Sequence, residues 1–169
     1  MIAALLAKLF CVATALANPP TVLRTERAAF AQHCFWTGEM KFGQFEGVIR
    51  TEAGFIDGHE VTLVEYTPET ISFDQLVKLG VRANCADAVY VTTPEQEKLA
   101  AKTGYSRIAP LKANYRKAPV SDQKKQLQGT PAAGLDLTPE QATKVNAWIR
   151  TDFARALSFL TPEQRAALR

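Results

Sequence analysis

The sequence predicts an α/β fold: a ferredoxin-like split βαβ core, with helices on a mixed sheet, followed by a C-terminal helical extension. Three observations predict it. Strand-length apolar runs recur between Arg27 and Val91. Helix-start signals stand between them. The resulting order is strand, helix, strand, strand, helix, strand, helix, which suggests this core without being unique to it.

Taken in turn, Arg27 to His33 reads as a short strand carrying Ala28, Ala29, Phe30 and Ala31. Cys34-Phe35-Trp36 ends it, and Thr37 to Phe42 forms the first turns of a helix. Phe45-Glu46-Gly47 is a turn and Val48 to Phe55 is extended. A turn at Ile56-Asp57-Gly58 leads to Val61 to Tyr66, rich in β-formers and stopped by Pro68. Ser72-Phe73-Asp74-Gln75 is a capping box for a helix whose face is Phe73, Leu76 and Val77, with Gly80 at its end. Ala88 to Val91 is a buried strand. Thr93-Pro94-Glu95-Gln96 then opens a helix, with Pro at the first helical position and Glu in the first turn.

Gly104 to Gly134 is irregular and polar. Beyond it Thr138-Pro139-Glu140-Gln141 caps a long helix with Val145, Trp148, Ile149, Phe153, Leu157 and Leu160 as its apolar positions. Thr161-Pro162-Glu163-Gln164 starts a last short one. Such a stripe is expected to pack on the core. The domain reading is therefore an α/β domain over 18–134 and a helical extension over 135–169 that packs on it.

Residues 1–17 read as a signal peptide. They are apolar, carry one charge at Lys8, and close on Ala15-Leu16-Ala17, an A-x-A cleavage pattern, before Asn18-Pro19-Pro20. The run is too short for a comfortable membrane span, and Phe10 is too bulky before Cys11 for a usual lipoprotein site. The expectation is an exported protein, periplasmic or secreted, with no stable membrane insertion. Cleavage removes Cys11 and leaves Cys34 and Cys85 of the three cysteines. Net charge is +3 with both signs interspersed. Lys112, Arg116, Lys117, Lys124 and Lys125 form a loose basic stretch with only Tyr115 among them, a solvated loop rather than a nucleic-acid site.

Cys34 sits where a strand gives way to a helix, a position where backbone N–H groups and the helix dipole favour a thiolate. Phe35 and Trp36 beside it make an apolar wall suited to a methyl or thioether. Glu60, on the next strand but one, is a candidate acid, since a carboxyl against aromatic surface can act as a proton donor. Three other readings stay open. Cys34 and Cys85 could form a structural disulfide, the aromatic pair could be plain core, and His33 and His59 could join the cysteines around a metal. No ligand spacing supports that last combination, and no metal is expected.

Cys34-Phe35-Trp36, Glu39, Phe42, Gly47-Val48, Thr51, Gly54-Phe55 and His59-Glu60 follow in the order and spacing of a known family. So do Tyr66-Thr67-Pro68-Glu69-Thr70-Ile71-Ser72 and Ala88-Val89-Tyr90-Val91-Thr92-Thr93-Pro94-Glu95-Gln96. Over roughly Ala28 to Thr103 the chain resembles the peptide methionine sulfoxide reductase A family. The resemblance implies Cys34 as nucleophile, Phe35 and Trp36 as the pocket for the substrate methyl group, and Glu60 as the acid that protonates the departing oxygen. It implies methionine sulfoxide, free or in oxidised proteins, as substrate. No bound cofactor is implied, only an external thioredoxin-like reductant.

Departures from the family pattern accompany it. His33 and Thr37 replace the usual flanking glycines, and the loop before the acid, with its oxygen-binding tyrosine, is cut down to Phe55-Ile56-Asp57-Gly58-His59. Cys85 stands where a second tyrosine is expected, and the tail motif is at best echoed by Asp122-Gln123-Lys124-Lys125-Gln126-Leu127. A cysteine in that tyrosine's place could resolve a Cys34 sulfenic acid as a disulfide. The alternative is a non-catalytic descendant of the same fold, a binding module with the two cysteines in a structural link.

Overall fold

A computed structural model of the chain describes residues 24–112 and 114–168. The signal-peptide reading of residues 1–17, and Cys11 with it, lies outside them. Among the described residues no helix is long and apolar enough to cross a membrane.

The core elements are β1 (Glu26–Ala31), α1 (Phe35–Gly43), β2 (Val48–Ile56), β3 (His59–Tyr66), α2 (Phe73–Arg82), β4 (Ala88–Val91) and α3 (Pro94–Ala101). Two short strands follow, β5 (Ile108–Pro110) and β6 (Arg116–Lys117), then single 3-10 turns over Val120–Asp122, Lys125–Leu127 and Pro131–Gly134. Helices α4 (Pro139–Trp148), α5 (Phe153–Ser158) and α6 (Pro162–Ala166) end the chain. Across the sheet the order is β5-β4-β1-β3-β2-β6. Its middle four strands, β4-β1-β3-β2, are the split βαβ arrangement. β1 lies antiparallel between β3 and β4. β5 adds in parallel to β4, and β6 antiparallel to β2.

The first strand ends at Ala31 rather than His33, the third begins at His59 rather than Val61, and β5 and β6 lie in the stretch read as irregular; three further boundaries differ, each for a local reason. Helix α1 begins at Phe35 rather than Thr37, because β1 stops at Ala31 and Cys34, with extended φ −142° and ψ 112°, is already the N-cap. Helix α2 runs through Gly80 to Arg82. The glycine lets helices approach: a Cβ placed on it would lie 3.0 Å from the Phe42 ring. The long C-terminal helix is two helices. α4 ends at Trp148, and the Asp152 carboxylate accepts the Arg155 N–H at 2.9 Å to start α5, leaving Phe153 54% exposed.

Phe30, Phe42, Val48, Val64, Tyr66, Leu76, Val77 and Val89 are fully buried in one cluster between the sheet and helices α1, α2 and α3. Each large apolar side chain in it contributes about 1.5–3 kcal/mol over an exposed position. On the opposite face Ala29, Ala31, Ile56 and Val61 are covered by Leu111 and Tyr115. Helix α4 is bonded into the core rather than laid on it. The Thr143 hydroxyl accepts the Thr51 N–H at 3.2 Å. The Lys144 ammonium donates to the carbonyls of Gly43 and Phe45 at the end of α1, at 3.0 and 2.9 Å. Burial pushes the Lys144 amine down to about 8.

One ion pair inside this packing has no exposed oxygen. Glu39, on α1, is 0% exposed. It accepts the backbone N–H of Lys124 at 2.7 Å and its ammonium at 2.5 Å, with the Thr51 hydroxyl at 3.4 Å. The same ammonium donates to the Thr51 carbonyl at 2.6 Å. Lys124 adopts a left-handed backbone, φ 48°, to present both donors. Removing one partner strands a buried charge, so Lys124→Met is expected to cost about 3–5 kcal/mol in urea unfolding. Glu39→Gln combined with Lys124→Met is expected to recover part of that loss. A single-variant cost below ~1 kcal/mol would mean that the pair is idle.

Candidate active site

Cys34 is held at the junction of β1 and α1. Its carbonyl accepts the Gly38 N–H at 3.0 Å, the first turn of the helix, and its side chain is partly exposed. The helix start lacks the usual help from its own residues: the first turn carries no acidic side chain, and Cys34 makes no side-chain cap. The cap comes from across the sheet. The Glu60 carboxylate accepts the Phe35 N–H at 2.7 Å, the one hydrogen bond it makes to a described residue.

Glu60 reaches that place because of the hairpin before it. Asp57 and Gly58 both have positive φ, 50° and 81°, as a two-residue type I′ turn requires, and Ile56 pairs directly with His59. Alternation along β3 then turns Glu60, Thr62, Val64 and Tyr66 toward α1 and His59 to the other face. His33 and His59 are both exposed. Among the described residues no three His, Cys, Asp or Glu side chains gather as a metal site.

Phe35 is buried and Trp36 half-buried, and a third ring extends the wall. Phe35 stacks with Trp36 at 5.9 Å between centroids and packs against Phe55 at 5.4 Å. Ala53 and Ala118 close the cluster behind them. The Trp36 indole N–H is buried with no acceptor among the described residues. The Lys125 ammonium lies 4.6 Å from the Trp36 ring centroid, and the Arg116 guanidinium 5.3 Å from that of Phe55. Sequence reasoning missed Phe55, Lys125 and Arg116 as site residues. Phe55 was legible as the next residue after Ala53 on the same strand face. The cations were not, since nothing in a basic loop says which ring it covers.

Cys85 lies just before β4, at the end of the sheet where Cys34 follows β1. Asp87 donates its N–H to the Ala31 carbonyl at 2.7 Å, and Ala31 pairs with Ala88. Gln32, with its amide oxygen turned to accept from Thr62, donates to the carbonyls of Phe30 at 2.7 Å and Cys85 at 3.3 Å. Both thiols are free. The Cys85 side chain is 1% exposed, packed with the main core, its Sγ donating to the Ala83 carbonyl at 3.3 Å. Burial pushes this thiol up to about 11; Asp87 and Cys34 act in the same direction, and Lys41 opposes them.

A family model described as peptide methionine sulfoxide reductase matches residues 26–63, the span from β1 through Cys34 to Glu60 and β3. The peptide methionine sulfoxide reductase MsrA of Rhodospirillum centenum is 34% identical over 128 residues, covering 57% of this chain and 58% of its own length. That of Pseudomonas syringae pv. tomato is 34% identical over 109 residues, 46% of this chain and 51% of its own. The chain thus spans just over half the length of these curated relatives. The fold is also that of the solved methionine sulfoxide reductase A of Corynebacterium diphtheriae, with a TM-score of 0.50 at 20% identity over 66% of this chain and 78% of that one. The likeness to the peptide methionine sulfoxide reductases is therefore carried by the span from β1 into β3, and over a wider stretch the chain is similar to their curated members.

Proposed function

We propose that this protein reduces methionine-S-sulfoxide with Cys34 as nucleophile, Glu60 as acid and Cys85 as resolving thiol. The observation that carries the reading is the 2.7 Å bond from the Phe35 N–H to Glu60. It puts a carboxyl group against the residue next to the thiol, and sulfoxide reduction needs a nucleophilic sulfur and a proton donor side by side. The family likeness supports the same chemistry. The substrate methyl group rests on the Phe35 and Trp36 rings, with Phe55 extending the apolar wall.

The steps balance as follows. The Cys34 thiolate attacks the sulfoxide sulfur while the Glu60 proton goes to the oxygen. The S–O bond breaks and releases hydroxide, leaving Cys34 joined to the substrate sulfur by an S–S bond. Hydroxide attacks the Cys34 sulfur, the S–S bond breaks, methionine leaves as the thioether, and Cys34 becomes a sulfenic acid, oxidised by two electrons. The carboxylate left on Glu60 already holds the Phe35 N–H. Cys85 then attacks Cys34, water leaves, and a disulfide forms. An external thioredoxin-like dithiol restores both thiols by exchange. Because Cys85 starts inside the core, this second reaction requires the short segment between α2 and β4 to open locally. Export through residues 1–17 would make free methionine sulfoxide or oxidised exported proteins the substrates.

The test is turnover of a methionine-S-sulfoxide substrate by the mature chain with dithiothreitol. Cys34→Ser is expected to abolish it, and Glu60→Gln to lower it by about 10²–10⁴-fold. Cys85→Ser is expected to accumulate a Cys34 sulfenic acid that dimedone traps. Absence of turnover from reduced, folded protein would overturn the reading in favour of a binding module.

Alkylation separates the two thiols independently of activity. With Cys85 at about 11, roughly one molecule in a thousand carries its thiolate at pH 8, rising about tenfold per pH unit until that value is reached. Iodoacetamide at pH 8 is therefore expected to label Cys34 in the native protein and to reach Cys85 only after denaturation, as read by peptide mass spectrometry. Equal labelling of both in the native state would contradict the buried position.

A further inference from the structure

We infer that Lys125 and Arg116 make this site prefer sulfoxides that carry a carboxylate beside the reacting side chain, an inference that rests on the reductase reading above. Its basis is an arrangement of rings and charges. Trp36, Phe35 and Phe55 form a row, and a cation stands over each end ring, Lys125 on Trp36 and Arg116 on Phe55. Both cations belong to one segment, residues 116–125, which the Glu39–Lys124 pair anchors to α1 one residue before Lys125.

Within that segment the four cations divide in two. Lys117 and Lys124 are spent on protein carboxylates, Glu52 and Glu39. Among the described residues Lys125 and Arg116 form no ion pair, and Asp122 between them pairs with neither. A cation resting on an aromatic face is positioned by the ring, while its outer donors stay open to an anion. Lys125 gives one donor to the Ser121 carbonyl at 3.3 Å, out of the three an ammonium has. Arg116 offers the planar fork that matches a carboxylate.

A methionine sulfoxide side chain is neutral, so two unpaired cations beside its apolar wall do nothing for the sulfoxide itself. They act on a carboxylate carried nearby. That group is either the α-carboxylate of the same residue or the side chain of a neighbouring Asp or Glu, and the chemistry of recognition is the same for both.

The experiment compares kcat/KM of the mature chain with dithiothreitol on two matched pairs of S-sulfoxides. One pair is N-acetylmethionine sulfoxide and its methylamide. The other is a capped tripeptide with the sulfoxide residue between two Asp residues, or between two Asn residues. The carboxylate member of at least one pair is expected to be favoured about fivefold to tenfold, mainly through KM, and less so as salt is raised. Preference in the first pair alone assigns the α-carboxylate, and preference in the second alone assigns the neighbouring side chain. Lys125→Gln and Arg116→Gln are each expected to draw the ratio toward one, and Lys125→Glu to take it below one. Lys78→Gln, on the exposed side of α2, is expected to leave it as it was. Ratios of one in the wild type, with the neutral substrates turned over, would overturn this inference and leave the reductase reading standing. No turnover of any of the four would remove the reductase reading itself, and this inference with it.

Discussion

The architecture around the candidate site depends on the charge buried at Glu39. A carboxylate with no exposed surface has to be satisfied by the protein, and here Lys124 does so with its backbone N–H and its ammonium together. That requirement draws the irregular segment after β6 down onto α1 and β2, at the expense of a left-handed residue. Neighbouring contacts follow from it. The Gln123 side chain takes up the Ala53 N–H and carbonyl at 3.0 and 2.8 Å, serving as a piece of strand where β6 has ended. Lys125 is carried over Trp36. A segment that has no regular structure of its own thereby becomes one wall of the site.

Glu60 ties β3 to the start of α1. As a cap it supplies the acceptor that the first turn of α1 lacks, and that bond holds its carboxyl against the residue that follows Cys34. The two cysteines contrast with each other. Cys34 is at the surface end of a strand–helix junction and partly exposed. Cys85 is a core residue whose burial keeps it a neutral thiol until the segment around it opens.

The departures from the family pattern fall where the fold tolerates them. His33 and Thr37, read as departures from the family pattern, are both exposed, so their side chains leave the packing of α1 untouched. The connection before Glu60 is closed by a two-residue turn, and that stiff closure sets the register of β3 directly. Cys85 is small enough to be packed into the main core.

By itself the sequence determined the elements from β1 to α3 and their order, because periodicity, caps and turn residues are local properties; β5 and β6, in a stretch that reads as irregular, exist only through their pairing with β4 and β2. The capping boxes at Ser72, Thr138 and Thr161 form as their residues require, and Cys34-Phe35-Trp36 and Glu60 stand out in the sequence as candidates through spacing and family likeness alone. Helix ends were less legible where packing overrides local preference. Gly80 looks like a stop and acts as a contact point for Phe42, and the apolar run after Thr138 hides the break at Asp152. Only the tertiary structure decided which distant groups meet: Glu60 with the Phe35 amide, Glu39 with Lys124, Lys125 with Trp36, Arg116 with Phe55. The reason is physical. A buried charge or an unfilled helix end requires a partner, but the sequence does not say which of several lysines or carboxylates the folded chain brings within reach.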